Sequence, residues 1–188
     1  MFNDLSSPID YLRTRRSGRP REMVAPGPTP DELMTILEVA ARVPDHGKIA
    51  PWRFVVIEDR EAFARLLIDA YRAERTLAAG LEPGAIVGFA PQAPTLVAVL
   101  SAPDPTSKVP VWEQELSAGA ATMNLLHGAH ALGYVAGWLT GWASYSPMVT
   151  DALGGPGDRI VGFVFMGSPG RPLEDRPRPP LARIVRWS

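Results

Sequence analysis

Residues 111–133, with the sequence VWEQELSAGAATMNLLHGAHALG, form the segment around which we expect the rest of the chain to pack. Glu113 and Glu115 stand at its start, where the positive end of a helix dipole favours carboxylates. From Leu116 to Leu132 the segment is apolar on nearly every side, which is typical of a buried helix. Gly133 then supplies a helix stop. The segment is too short, and too often interrupted by polar residues, for us to expect a membrane span.

One face of this predicted helix consists of small side chains that recur at helical spacing. These are Ser117, Ala120, Ala121, Asn124, Gly128 and Ala131. Small side chains allow another backbone or a flat ligand to come close. The opposite side carries the larger residues Leu116, Met123, Leu126 and Leu132. The pattern leaves two interpretations open: a central core helix, or a core helix that also packs against a partner subunit or a planar cofactor.

The composition is that of a soluble globular protein, with 46% hydrophobic and 21% charged residues among 188. We expect a single domain over residues 1–188. The net charge of −1 argues against nucleic acid or another polyanion as a partner. The absence of cysteine from the sequence excludes disulfides, thiolate metal sites and cysteine nucleophiles. The N-terminus lacks an apolar signal segment, so we expect a cytoplasmic protein.

A basic cluster at residues 13–21 follows a short predicted helix. Its arginines and one serine suit a phosphate, because guanidinium groups donate bidentate charged hydrogen bonds and a hydroxyl adds a neutral donor. Three interpretations remain: a solvated basic patch, a nucleic-acid-binding arm, or a clamp for the phosphate of a small molecule. The arm is the least favoured, since no aromatic residues interleave with the arginines and the rest of the chain is not basic.

Four apolar runs predict strands, and the first of them shows little polar alternation, which favours a central position in a sheet. They are Arg53–Glu58, Thr95–Leu100, Tyr134–Thr140 and Ile160–Met166. Helices are predicted from Thr29 to Arg42, from Arg60 to Ala79 and from Ser146 to Leu153, and residues 182–185 are a candidate edge strand. Strands that alternate with helices indicate an α/β or α+β fold.

Common catalytic motifs are absent from the sequence. It contains no glycine-rich nucleotide loop and no G-x-S-x-G nucleophile elbow. His127 and His130 stand three apart on the central helix, but no carboxylate follows at metal spacing, so we expect no metal site. His46 lies in a loop beside Asp45 and near Trp52, and a functional role for it is as reasonable as a structural one.

Five motifs occur in order along nearly the whole chain. They are Arg15-Arg16-Ser17-x-Arg19; Arg42-x-Pro44-Asp45-His46-Gly47 followed by Pro51-Trp52-Arg53-Phe54; Lys108-Val-Pro-x-Trp112-Glu-Gln-Glu115-x-Ser117-Ala-Gly119; Gly133-Tyr134 with Trp138; and Ile160-Val-Gly162-Phe with Gly167-Ser-Pro169. Each motif alone is weak, but five in this order at consistent spacing are specific. Together they resemble the nitroreductase family, in its small single-domain branch.

The resemblance implies an FMN-dependent oxidoreductase that takes electrons from NADH or NADPH and passes them to a nitroaromatic, a quinone or a related acceptor. It also implies an α+β fold: a mixed, mostly antiparallel central sheet flanked by helices, a long buried central helix and an intertwined homodimer. The flavin would carry the chemistry, so no catalytic protein residue is predicted. A rival interpretation is an FMN-binding storage or sensor protein with little turnover, and a third is a basic-armed binding module without flavin.

The family pattern also implies roles for particular residues. The flavin phosphate and ribityl chain would be held by Arg15, Arg16 and Ser17, with Arg19 nearby. The other subunit would contribute flavin contacts from Arg42 and His46. The flavin would be lined by Trp138, Leu139 and Thr140. A nicotinamide contact is implied for the end of the central helix, at Gly128, Ala129, His130, Ala131, Leu132 and Gly133.

Two positions depart from the family pattern. Ala50 stands before the Pro51-Trp52 turn in place of a common glutamine, so that side-chain contact is lost. Leu139 stands where a small-branch relative has arginine, which removes a charge near the flavin.

With one flavin face open, nicotinamide and acceptor would occupy the same position in turn, which implies ping-pong kinetics.

Overall fold

The computed structural model describes residues 1–74, 80 and 82–188, and it divides into two compact units. The first unit comprises Met1–Arg16 and Pro172–Ser188, and the second comprises Ser17–Arg171. No helix among the described residues is long and apolar enough to cross a membrane.

The first unit contains helix α1 (Pro8–Thr14), which begins where the Ser7 side chain accepts a hydrogen bond from the Asp10 N–H. The prediction of an edge strand at residues 182–185 is wrong, because Leu181–Arg183 forms a short 3₁₀ turn. The Leu181 carbonyl accepts the N–H groups of both Ile184 and Val185, at 3.0 and 2.8 Å. These local bonds use the backbone groups that a strand would pair with a neighbour.

The second unit is built on a five-stranded sheet. Its strands are β1 (Met23–Val24), β2 (Trp52–Val56), β3 (Thr95–Ser101), β4 (Val135–Leu139) and β5 (Arg159–Pro169). The long strand β5 pairs with β1, β3 and β4, and β3 also pairs with β2. The central position predicted for the strand at Arg53–Glu58 is wrong, because β2 ends the order of the described strands and pairs with β3 alone. Every described pair is antiparallel, which confirms the predicted α+β fold with a mostly antiparallel sheet.

Five helices belong to the second unit in the described part of the chain. They are α2 (Pro30–Ala40), α3 (Arg60–Ala73), α4 (Pro83–Val87), α5 (Val111–Ala131) and α6 (Pro147–Leu153). Helix α2 begins with the capping box of Thr29 and Glu32 that its sequence predicts. Residues 75–79, the end of the helix predicted from Arg60 to Ala79, lie outside the described residues.

The two faces of the sheet pack against different helices, since successive side chains of a strand point to opposite faces. On one face, Val164 joins a buried cluster with Ile36 of α2 and Leu125 of α5. On the other, the ring of Phe163 lies 5.7 Å from that of Phe63 in α3 and 5.3 Å from that of Phe89. Helix α5 thus forms the centre of one of the two layers, as predicted.

The small face of α5 packs against α2 and the loop that follows it. A Cβ atom at Gly128 would lie 3.3 Å from the Cα atom of Ile36, so the two helices approach closely. One turn earlier, the Asn124 amide donates to the carbonyls of Val39 and Arg42, at 3.3 and 2.9 Å. The small side chains therefore accommodate a backbone of the same chain, and this part of the stripe is not left for a partner or a flat ligand.

The opposite side of α5 is partly exposed, which corrects the prediction of a helix buried all round. Trp112 is 66% exposed and Leu116 is 54% exposed. Gly119 and Met123 continue this side at helical spacing and are partly exposed. We call these four residues the exposed α5 face.

Candidate functional site

The segment from Ser17 to Arg19 lies along the outer edge of β4. The Gly18 N–H donates to the carbonyl of Ala136 at 3.2 Å. A Cβ atom at Gly137 would lie only 2.6 Å from the Gly18 carbonyl oxygen, so glycine permits this close approach. The sequence places Trp138 directly after this contact. The structure therefore brings Ser17 and Arg19 next to the strand that carries the predicted flavin-lining residues.

The predicted lining residues lie where β4 ends. Trp138 is half-buried, and its indole N–H donates to the Val161 carbonyl at 3.2 Å, which fixes the ring against β5. Leu139 is half-buried and ends the strand, and Thr140 is exposed just after it. This part of the chain presents one fixed aromatic ring, one aliphatic side chain and one hydroxyl within three residues.

Ser17 and Arg19 supply the polar groups of this edge. Ser17 is partly exposed. The Arg19 side chain is 57% exposed, and one of its guanidinium nitrogens lies 3.1 Å from a carboxylate oxygen of Glu22. A serine hydroxyl and a guanidinium are suitable donors for an anionic oxygen.

Arg15 and Arg16 belong to the first unit and differ in their surroundings. The Arg16 side chain is 16% exposed, and its Nε donates to the Glu174 carbonyl at 2.7 Å, so this nitrogen already holds the C-terminal segment. Burial lowers the pKa of Arg15, and the nearby charges of Arg16, Arg178 and Arg176 lower it further, against the opposing effect of Tyr11. The sequence prediction missed Arg176 and Arg178, which stand in a proline-rich tail without helix or strand periodicity.

The loop between α2 and β2 carries Arg42 and His46, and both are exposed. The Nδ1 atom of His46 lies 2.8 Å from Oε2 of Glu113, in the first turn of α5. The Ser117 hydroxyl donates to the Pro44 carbonyl at 2.6 Å, which fixes the loop to α5 a second time. Among the described residues, no hydrogen bond or ion pair joins Arg42 or His46 to the end of β4.

Ala50, the first departure from the family pattern, adopts a φ of +50°, which is uncommon for a residue other than glycine. Its N–H donates to Oδ2 of Asp45 at 2.9 Å, and the N–H of Ile49 donates to Oδ1 at 3.1 Å. The Asp45 carboxylate therefore holds the turn in place.

In the segment predicted to contact nicotinamide, residues 128–133, the first half is buried and the second half is exposed. Buried positions are Gly128, Ala129 and His130, and exposed positions are Ala131, Leu132 and Gly133. His130 is only 1% exposed, and its Nε2 accepts the N–H of Ala136 at 3.2 Å. Its side chain thus contacts β4 and is closed to a soluble ligand in this chain.

A cavity of about 160 Å³ lies beside Thr140, and the sequence prediction missed it. Its walls are mostly apolar and come from α3, α4, β5 and the segment after β4; they include Leu67, Phe89, Trp142 and Phe163. A cavity of this volume holds a molecule about as large as benzene. In the sequence, the single feature that points to this cavity is the large aromatic residue Trp142 directly after Gly141.

A model of the nitroreductase family matches residues 12–168, which is most of the chain. This chain belongs to the nitroreductase family. Its relative YdjA of Escherichia coli K12, which carries the provisional name NAD(P)H nitroreductase, is 38% identical over 167 residues, or 86% of this chain and 87% of YdjA.

Solved structures show the same nitroreductase fold. A nitroreductase-like protein from Bacillus cereus superposes with a TM-score of 0.83 at 20% identity, covering 100% of this chain and 99% of the other. A provisionally named nitroreductase from Desulfovibrio desulfuricans, solved in complex with FMN, superposes with a TM-score of 0.73 at 22% identity and covers 97% and 98% of the two chains.

The donor set of this family member is compatible with a flavin mononucleotide. Ser17 and Arg19 of the second unit are donors that suit a phosphate. The neighbouring cations of Arg15 repel its charge, and an anion would relieve that repulsion. The side chains of Trp138 and Leu139 suit a flat, largely apolar ring system.

Proposed function

We propose that this chain is an FMN-dependent oxidoreductase that uses NADH or NADPH to reduce nitroaromatic, quinone or related acceptors. The observation that carries the proposal is the contact of Gly18 with Ala136, which sets phosphate-type donors beside the predicted flavin wall. The name of YdjA supports an NAD(P)H-dependent nitroreductase, and the FMN complex of the Desulfovibrio protein supports the choice of cofactor.

In this proposal Ser17 and Arg19 bind the phosphate from the edge of β4, and Arg15 and Arg16 contribute as the family resemblance implies. Trp138, Leu139 and Thr140 line the ring system. When bound, FMN would accept a hydride from the nicotinamide and pass the electrons to the acceptor. The protein residues bind and orient these molecules, so none of them needs to act as a nucleophile.

A homodimer completes the proposed site. The exposed α5 face presents large apolar side chains at Trp112 and Leu116, and such a patch marks an interaction surface. The loop that carries the exposed Arg42 and His46 runs along α5: the Arg42 carbonyl accepts the Asn124 amide, and His46 pairs with Glu113 in the first turn of the helix. We propose that a second copy covers this face and that each copy supplies Arg42 and His46 to the flavin of the other.

The proposed kinetics follow from a single binding position that the nicotinamide and the acceptor use in turn. Nicotinamide and acceptor would lie in turn over the same ring face, so double-reciprocal plots should give parallel lines when NAD(P)H is varied at several acceptor concentrations. Intersecting lines would mean that both substrates bind together, and they would remove the shared position while leaving the oxidoreductase intact.

The first experiment is to identify the cofactor. Purified protein, reconstituted with flavin if necessary, should show a flavin absorption spectrum, and chromatography of the heat-released cofactor should identify FMN. FAD as the main cofactor would contradict the one-phosphate site. Protein that takes up no flavin would favour the basic-armed module, and bound FMN without turnover would favour the storage or sensor protein.

A further inference from the structure

His130 is a buried imidazole that bonds to the edge of the sheet. It lies in the last turn of α5, and its Nε2 accepts the N–H of Ala136 at 3.2 Å. A histidine nitrogen can accept a hydrogen bond only when it carries no proton. The bond therefore requires the imidazole to present an unprotonated Nε2 to the strand.

Both backbone polar groups of Ala136 bind outside the ladder of β4 and β5. The N–H donates to His130, and the carbonyl accepts the N–H of Gly18. His130 and Gly18 thus contact the same residue of β4, one through a side chain and the other through the backbone. Whatever moves the backbone of Ala136 also moves the position at which Gly18 binds.

We infer that His130 is a positioning residue for the phosphate side of the flavin site. By holding the Ala136 N–H, it fixes the edge of β4 on which Gly18 binds, and so sets the places of Ser17 and Arg19. Without an acceptor at position 130, the buried Ala136 N–H loses its partner, which is costly enough to displace the strand. The inference rests on the proposed function, because it assigns the phosphate to Ser17 and Arg19.

The inference predicts a loss of affinity that is specific to the phosphate. Riboflavin has the ring system and ribityl chain of FMN but no phosphate. The His130→Phe variant keeps an aromatic ring and removes the acceptor, so it should bind FMN roughly five- to tenfold more weakly, the scale of one lost hydrogen bond. Its affinity for riboflavin should stay within about twofold of the wild type. His130→Leu, measured in parallel, removes the acceptor without adding volume.

Two further variants separate this role from a general loss of stability. His130→Gln keeps a neutral acceptor that can reach the Ala136 N–H, so it should restore most of the FMN affinity. Tyr134→Phe removes a different hydrogen bond at the start of β4, the one from the Tyr134 hydroxyl to Oε2 of Glu32 at 2.8 Å. It should leave the ratio of FMN to riboflavin affinity unchanged.

The measurement is fluorescence titration of the apoprotein variants with FMN and with riboflavin. If wild-type protein binds FMN, but His130→Phe and His130→Leu keep the wild-type affinity ratio, the positioning role is wrong and the proposed function stands. An equal loss for FMN and riboflavin also overturns the role, because it indicates general disruption. Wild-type protein that binds neither flavin would overturn the proposed function and the inference with it.

Discussion

Gly128 on α5 packs closely against Ile36 on α2: a Cβ atom at position 128 would be 3.3 Å from the Ile36 Cα and 3.4 Å from its carbonyl oxygen, which is closer than most Cβ contacts. Gly128→Val should therefore force the helices apart and lower the free energy of unfolding by about 1–3 kcal/mol, the usual cost of overpacking. Urea denaturation measures the change. Gly84→Ala in α4, where a Cβ meets nothing within 4 Å, is the control and should not destabilise. Equal stability of Gly128→Val and wild type would show that the helices do not meet here.

The exposed α5 face predicts the oligomeric state. Leu116→Glu places a charge in the proposed interface, and burying an unpaired charge is strongly unfavourable, so the dimer should dissociate at least about a hundredfold more readily. Light scattering should give a dimer mass for the wild type at micromolar concentration and a monomer mass for the variant. Arg65→Glu, which adds the same carboxylate on the exposed surface of α3, should remain dimeric. A wild-type monomer would remove the shared site.

Arg15 is the strongest phosphate candidate in the first unit. Arg15→Ala removes a charged donor, and hydrogen bonds to charged groups contribute about 1.5–3 kcal/mol, so FMN should bind roughly ten- to a hundredfold more weakly. Arg171→Ala removes an exposed arginine and should have a much smaller effect. Isothermal titration of both apoproteins with FMN makes the comparison. Equal losses would indicate diffuse electrostatic attraction without a specific clamp.

Ionisation of the buried Tyr11 phenol should lower the free energy of unfolding at alkaline pH. Burial raises its pKa to about 12 from 10.0, with Arg15 opposing the shift. Between the pKa of the unfolded state and the pKa of the folded state, the folded protein therefore keeps the phenol proton and the unfolded protein has lost it. The stabilisation is complete below pH 10.0 and is lost as the pH rises towards about 12. Urea denaturation at about pH 9 and about pH 11 should show a loss of roughly 1–2 kcal/mol, which Tyr11→Phe should abolish. An unchanged pH dependence in Tyr11→Phe would contradict this assignment.

The sequence predicted the elements whose patterns are long and consistent. Helix α5 is apolar over most of its length, β3 is a continuous apolar run, and Thr29 with Glu32 marks the start of α2. The strand Met23–Val24 was missed, because two residues are too short to show any periodicity. Local hydrogen bonds determine the structure of the C-terminal segment, where Leu181 starts a turn in place of the predicted strand.

The site was harder to predict, because its geometry depends on contacts between distant parts of the chain. An apolar pattern on α5 does not tell whether Leu116 packs into the core of its own chain or stays exposed, as it does in the structure. The contact of Gly18 with Ala136 joins residues far apart in sequence, and neither residue type indicates it. The family resemblance implies a nicotinamide contact for His130, whereas its imidazole bonds to Ala136 inside the protein.

Anaerobic reduction of the bound flavin tests the oxidoreductase proposal most directly. FMN-loaded protein is mixed with NADH or NADPH without oxygen, and the visible flavin absorbance is followed before and after a nitroaromatic or a quinone is added. We expect prompt bleaching by at least one nicotinamide and prompt return of the colour with the acceptor, each fast enough to sustain steady-state turnover. Flavin that neither nicotinamide bleaches at such a rate would contradict the proposed NAD(P)H-dependent activity.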